Sequence, residues 1–249
     1  MGGKRGLKLA RIKSESKAEA RRIFRLAKAC FVDSVDFDSW RKGFELLKQA
    51  AVLNDLSAHE WLGAAYDYGL GTRRSRRRSF EHYLVAANAG NSNAEYHIGL
   101  FYLEGIIGRK NYKRGLWWMN KAARHGDATA MHVLGECYRY GQGVKKNPIK
   151  GYALELKAAK KGVADAQFSV GLCLSRGMGV RANHQQALKW YRKAASKDVE
   201  NAAYNLGYFY ETGRGTKKDF GKARYWYARA KELRKKHGSR QRCLPAYKN

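Results

Sequence analysis

The residues that could carry chemistry fall short of every catalytic constellation. His59-Glu60-Trp61-Leu62 opens like the zinc-protease pattern His-Glu-x-x-His, in which two imidazoles one helical turn apart hold the metal while the carboxylate activates water. Gly63 stands where the second imidazole belongs, so the metal would lack a ligand. Gly221-Lys222 has the ending of a phosphate-binding loop, yet Ala223 replaces the Ser or Thr that meets magnesium and Thr216 replaces the first glycine. Four cysteines include no Cys-x-x-Cys pair. Cys137 and Cys173 share one position in neighbouring repeats, and stacked helices lie ~8–10 Å apart, beyond the ~7 Å Cα limit for a disulfide. Both are therefore read as small packing residues. Cys243, beside Arg240 and Arg242, has the surroundings that favour a thiolate but no partner base. The seven histidines form no ligand cluster. No catalytic, cofactor-binding or metal residue is assigned, and the chain is expected not to be an enzyme.

What must be positioned is then a surface, and the elements that position it follow from a period of 36 residues. Leu62-Gly63, Ile98-Gly99, Leu134-Gly135, Val170-Gly171 and Leu206-Gly207 recur without insertion or deletion. Ala58, Ala94, Ala130, Ala166 and Ala202 keep the same step, as do Tyr66, Tyr102, Tyr138 and Tyr210, with Leu174 as the exception. Self-similarity of this length is the signature of a stacked array. Within a unit, Ala, Leu-Gly and Tyr fall at i, i+4, i+5 and i+8, which is helical spacing. This helix A ends at Gly69, Gly105, Gly141, Gly177 or Gly213, residues free to take positive φ. After a loop of about eight residues a helix B carries Trp118, Leu154, Trp190 or Trp226 four residues before an Ala-Ala pair. Helix B closes at Asn54, Gly90, Gly126, Gly162 and Asp198, the residue types that enter the left-handed region at least cost.

The order Ala202, Leu206-Gly207, Tyr210, Gly213, Gly215, Asp219, Lys222-Ala223 and Trp226 resembles the Sel1-like repeat, a longer relative of the tetratricopeptide repeat. The resemblance is specific over 54–236 and degenerate over 17–53, where Leu26-Ala27 stands for Leu-Gly and Ile23, Phe24, Ala27 and Cys30 form one apolar face. The sequence departs from the pattern at Ile107, which replaces the second loop glycine, at His82 and Leu154 in place of Trp, and at Ser75, Asn111, Asn147 and Asn183 in place of the loop Asp. The resemblance implies an all-α, right-handed α-solenoid of about six helix pairs. The units expected are 17–53, 54–89, 90–125, 126–161, 162–197 and 198–236, between a basic N-terminal tail at 1–16 and a basic C-terminal tail at 237–249. It also implies an adaptor or scaffold, without a common catalytic residue, that holds a protein partner on a concave surface lined by the A helices.

Two helix A positions change chemistry from unit to unit and supply the candidate groove: Glu60, Tyr96, His132, Phe168 and Tyr204 at one, Asp67 and Arg139 with Glu211 at the other. Such variation suits a surface that reads an irregular partner, and equally one that reads nothing. The aromatic members are the expected anchors.

Charge is the other feature. Fifty Lys and Arg against 21 Asp and Glu give a formal +29, while 44% hydrophobic and 12% aromatic content is too rich for a disordered basic chain. Most of the excess sits in three places: 1–28, with ten basic and two acidic residues; the loop carrying Arg73, Arg74, Arg76, Arg77 and Arg78; and 214–249, with thirteen basic and two acidic residues. A further stripe recurs at the repeat period in the A-to-B loops as Arg73-Arg74, Arg109-Lys110, Lys145-Lys146, Arg181-Ala182 and Lys217-Lys218, nine basic sites of ten. Equivalent loops of a solenoid line one edge, with rungs on the order of 10 Å apart. Such an edge suits an acidic protein surface or the backbone of RNA or DNA, and no motif for reading bases is present. A solvated edge with no partner is the alternative. Leu7, Leu9 and Ile12 among the N-terminal cations also fit an amphipathic helix on an anionic membrane, and an Arg-rich start resembles a mitochondrial presequence despite Glu15 and Glu19. With a mean hydropathy of -0.65 and no apolar run of spanning length, the chain is expected to be cytoplasmic, with no integral membrane segment.

Overall fold

The computed structural model describes residues 2–33 and 36–243, with side chains for 16–33 and 36–236. These residues form twelve α-helices and no strand, paired six times, an all-α fold of the solenoid class. The chain divides into two compact units, Met1–Asp127 and Ala128–Asn249.

The first unit holds α1 (Gly2–Val32), α2 (Phe37–Val52), α3 (Leu56–Tyr68), α4 (Arg76–Asn88), α5 (Ser92–Glu104) and α6 (Tyr112–Arg124). Residues 2–16, expected as a tail, are the N-terminal half of α1. The side chains of Leu7, Leu9 and Ile12 lie outside the described set, so their amphipathic reading does too. The second unit holds α7 (Ala128–Tyr140), α8 (Pro148–Lys160), α9 (Ala164–Arg176), α10 (His184–Ala195), α11 (Glu200–Thr212) and α12 (Phe220–Cys243). Helix α12 carries the backbone seven residues beyond 236; the Cys243 thiol and 244–249 lie outside the described residues.

Each pair is closed by small residues. A Cβ on Gly63, Gly171 or Gly207 would stand 2.7 Å from the ring of Tyr83, Tyr191 or Tyr227, so the glycine of Leu-Gly admits the bulky side chain twenty residues later on helix B. A second column, Gly43, Ser79, Gly115, Gly151, Ala187 and Ala223, lets helix B approach helix A: a Cβ on Gly151 would meet the Gly135 carbonyl at 2.7 Å. Leu62, Ile98, Leu134, Val170 and Leu206 are all at most 1% exposed, and burying a side chain of this size contributes ~1.5–3 kcal/mol. Leu26, at the same position in the first pair, is 52% exposed. Ala27, by contrast, takes the glycine's place and is fully buried.

Candidate functional site

The five A-to-B loops are built alike. The residue preceding helix B, which is Ser75, Asn111, Asn147, Asn183 or Asp219, donates its backbone N–H to the carbonyl of Tyr66, Tyr102, Tyr138, Leu174 or Tyr210 at 2.7–2.9 Å. Its side chain accepts from the backbone N–H three residues on, at 3.4 Å for Ser75 and 2.9–3.0 Å for the other four. These departures from the family's Asp are therefore interchangeable N-caps, since Ser, Asn and Asp all offer the oxygen that an orphan helix N–H requires. The donor residue also lays its side chain on the ring to which its loop is tied: Arg78 over Tyr66 at 5.6 Å, Arg114 over Tyr102 at 5.7 Å, Lys150 over Tyr138 at 4.0 Å and Lys222 over Tyr210 at 5.6 Å. In the remaining unit both partners change together, to Leu174 and Gln186. This cation–ring column recurs at the repeat period as Arg78, Arg114, Lys150 and Lys222 beside Tyr66, Tyr102, Tyr138 and Tyr210.

Neighbouring loops within a unit are packed together through the second loop glycine. Gly71 sits against the Trp40 backbone at the start of α2, Gly179 against Pro148 at the start of α8, and Gly215 against His184 at the start of α10. Each of these glycines has a φ between +66° and +73°. Ile107 does not share that conformation, and Gly108 N–H instead returns to the Gly105 carbonyl at 3.4 Å.

On these loops Arg73, Arg109, Lys110, Lys145, Lys146, Arg181, Lys217 and Lys218 are all exposed, and they make no ion pair with a described residue. Arg76, Arg77 and Arg78 are exposed on the first turn of α4, where Arg77 meets Glu81 at 3.2 Å. Arg74 is the exception, half-buried 3.9 Å from Asp67. The first turns of α4, α6, α8, α10 and α12 contain no acidic residue. At α4, α6, α8 and α10 the positive end of the helix dipole, ordinarily balanced by Asp or Glu, is reinforced by the adjacent loop cations, whereas α12 keeps Asp219 at its cap.

The groove residues divide. In the first unit Glu60 accepts from Asn91 at 2.6 Å and Asn93 at 2.7 Å, Asp67 is the partner of Arg74, and Tyr96 is half-buried against His97. In the second unit Tyr204 is 55% exposed and leans on Tyr227, whose hydroxyl donates to Glu211 at 2.7 Å. Phe168 is half-buried against Tyr191. His132 and Arg139 are not surface anchors. His132 is buried, which holds its imidazole below the usual range. Arg139 is 3% exposed and pairs with the fully buried Glu155 at 3.0 Å. Glu155 occupies the column that elsewhere reads Tyr83, Met119, Tyr191 and Tyr227, so the variation at 139 compensates an internal charge. Burial pushes the Glu155 carboxyl up to about 7 against the pull of Arg139, and Cys173 donates to it at 3.5 Å. Burial likewise pushes the Cys173 thiol up to about 12 and raises that of Cys137, so both are held as thiols, as packing residues should be.

The incomplete zinc pattern has a structural outcome: His59 and His82 place their Nδ1 atoms 3.1 Å apart, which needs one ring to donate and the other to accept, and burial lowers both pKa values. No group of three or more His, Cys, Asp or Glu that could hold a metal occurs among the described residues. No helix of the described residues is long and apolar enough to cross a membrane. The cations of α12 are partly engaged within the protein: Arg229 and Lys236 each reach Asp198 at 2.8 Å, and Arg234 reaches Glu200 at 2.7 Å.

The Sel1 repeat model matches the chain five times, at 56–91, 92–127, 128–163, 164–199 and 201–234. Among solved structures, a Sel1 repeat protein from Oxalobacter formigenes is 29% identical with a TM-score of 0.79, over 86% of this chain and 87% of that one. An antigen of uropathogenic Escherichia coli with the same repeat fold, c5321, is 24% identical with a TM-score of 0.56, over 91% of this chain and 58% of that one. The immunity protein PA5088 of Pseudomonas aeruginosa is 21% identical with a TM-score of 0.59, over 87% and 82%. The last two likenesses concern the fold alone. Among curated proteins, none matches the sequence.

Proposed function

Since the chain belongs to the Sel1 repeat family, whose members generally act as scaffolds for protein–protein interaction, we propose that it is a non-enzymatic scaffold that engages an acidic segment of a protein partner through the basic loops between its paired helices. The observation that carries this reading is the set of eight exposed loop cations without an internal ion pair, set beside helix N-termini that lack acidic residues. Charges of this kind are free to meet a carboxylate, whereas Arg229, Arg234 and Lys236 of α12 have already met Asp198 and Glu200. Tyr204, with the half-buried Tyr96 and Phe168, supplies apolar contact on helix A for the same role. His132 and Arg139 have no part in it.

Anisotropy titration of a labelled oligoglutamate and of a length-matched DNA duplex, at one low ionic strength, tests the proposal. The oligoglutamate is expected to bind, and Lys145→Ala, Lys146→Ala and Arg181→Ala together to weaken it roughly tenfold, because each exposed pair contributes ~0.2–1 kcal/mol. Binding confined to the duplex would transfer the loops to a sequence-independent nucleic-acid role, and no binding of the oligoglutamate would end the acidic-partner reading.

A further inference from the structure

Trp118 occupies the aromatic position of the repeat and is 8% exposed; Trp117, one residue earlier, is 55% exposed. The equivalent outward positions carry Glu81, Ala153, Lys189 and Tyr225, so a tryptophan there serves no need of the repeat. Its ring stands edge to face with Trp118, centroids 4.7 Å apart, at the rim of a hollow of about 440 Å³ lined by Tyr102, Asn111, Lys113, Arg114 and the two tryptophans. That volume lies in the ~300–1,000 Å³ range of ligand pockets and admits a side chain or two.

The polar groups around the hollow are of one kind. Lys113 and Arg114 lie one helical turn before Trp117, on its own face of α6. Asn111 uses its Oδ1 to accept from Arg114 N–H, which turns its amide NH2 into the group left to offer. Arg109 and Lys110 precede it on the exposed loop, and no acidic residue lines the hollow. On the far side Lys121 lies over both rings, at 5.8 Å and 4.9 Å, and is anchored to the buried Glu95 at 3.0 Å. An occupant must therefore bring an apolar side chain for the tryptophan and carboxylates for the surrounding donors.

We infer that this hollow is the anchor point for an acidic peptide segment in which an aromatic or large aliphatic side chain is flanked by Asp or Glu, with Trp117 as the principal contact. The inference rests on the acidic-partner reading of the loops and adds to it a site and a side-chain preference. An exposed tryptophan offers large contact area at small entropic cost, and such residues dominate interface energetics.

The test uses the full chain and two labelled peptides, each a run of glutamates with one central residue, Phe in one and Ala in the other. The Phe peptide is expected to bind about tenfold more tightly. Trp117→Ala should abolish that preference while leaving the salt-dependent affinity for the Ala peptide in place, and Lys113→Ala should weaken both peptides. A Phe preference that survives Trp117→Ala overturns the site alone, since binding of the Ala peptide still reports the loops. Failure of both peptides to bind the parent chain overturns the loop reading as well. If Trp117→Ala instead weakens an oligothymidylate and neither peptide, the hollow stacks bases and the inferred occupant is wrong.

Discussion

Glu155 and Arg139 make the second unit unlike the first at a place the period would fill with apolar atoms. Removing one partner leaves a buried charge alone, so Arg139→Ala should cost ~3–5 kcal/mol in urea unfolding. Arg139→Leu with Glu155→Met installs the pair present as Leu103 and Met119, and should be neutral or stabilising by ~1–4 kcal/mol. The same carboxyl gives a pH signature. Its pKa is raised to about 7 in the folded chain, from 4.5, by burial. The folded state therefore holds the proton more tightly, the stability from this group is complete below about 4.5, and it is lost as pH rises through 7. Relative to Glu155→Gln, which does not titrate, the parent should lose thermal stability across that interval; a parent that gains stability instead would mean that the ion pair outweighs burial. Neither residue was legible as core in the sequence. Arg139 lies in a column whose chemistry varies from unit to unit, as that of a surface position does. The partner sixteen residues away on another helix became visible only when the helices were placed.

At the scale of helices and loops, far more was legible. The five Leu-Gly steps, the left-handed closures at Asn54 and Asp198, both at φ 62°, and the Gly-x-Gly stops all follow from which residues tolerate which backbone. What the sequence left open was the role of the loop Asp column, whose substitutions looked like departures although they preserve one hydrogen bond. Asn183→Ala should cost ~0.5–2 kcal/mol and Asn183→Gly only a few tenths, measured by thermal unfolding. Gly215→Ala is more severe, because the residue sits at φ +68° and its new Cβ would lie 2.5 Å from the His184 carbonyl. A loss of ~1–3 kcal/mol from backbone strain, and more from the contact, is expected. The hollow beside Trp117 was not legible at all, because which of Trp117 and Trp118 faces water depends on the turn of α6.

For the whole molecule, a net +29 is not spread evenly and is not all available. Arg229, Arg234 and Lys236 of α12 are held by Asp198 and Glu200, whereas the A-to-B loop cations other than Arg74 face solvent. Counting charge along the sequence located the excess but could not separate engaged from free, because Arg229 and Asp198 are 31 residues apart. The two classes should behave differently. Arg234→Ala is expected to shift stability by at most ~1 kcal/mol and leave oligoglutamate affinity nearly unchanged. Loop substitutions should leave stability nearly unchanged and reduce affinity. The most direct test is the salt dependence of oligoglutamate binding by the parent chain and by a variant with Ala at Lys145, Lys146, Arg181, Lys217 and Lys218. Between roughly 50 and 200 mM salt, where screening shortens the reach of exposed charges, the parent affinity should fall steeply and the variant should bind weakly with a shallow slope. Equal affinity and equal slope for the two chains would contradict the assignment of the loops as the contact surface.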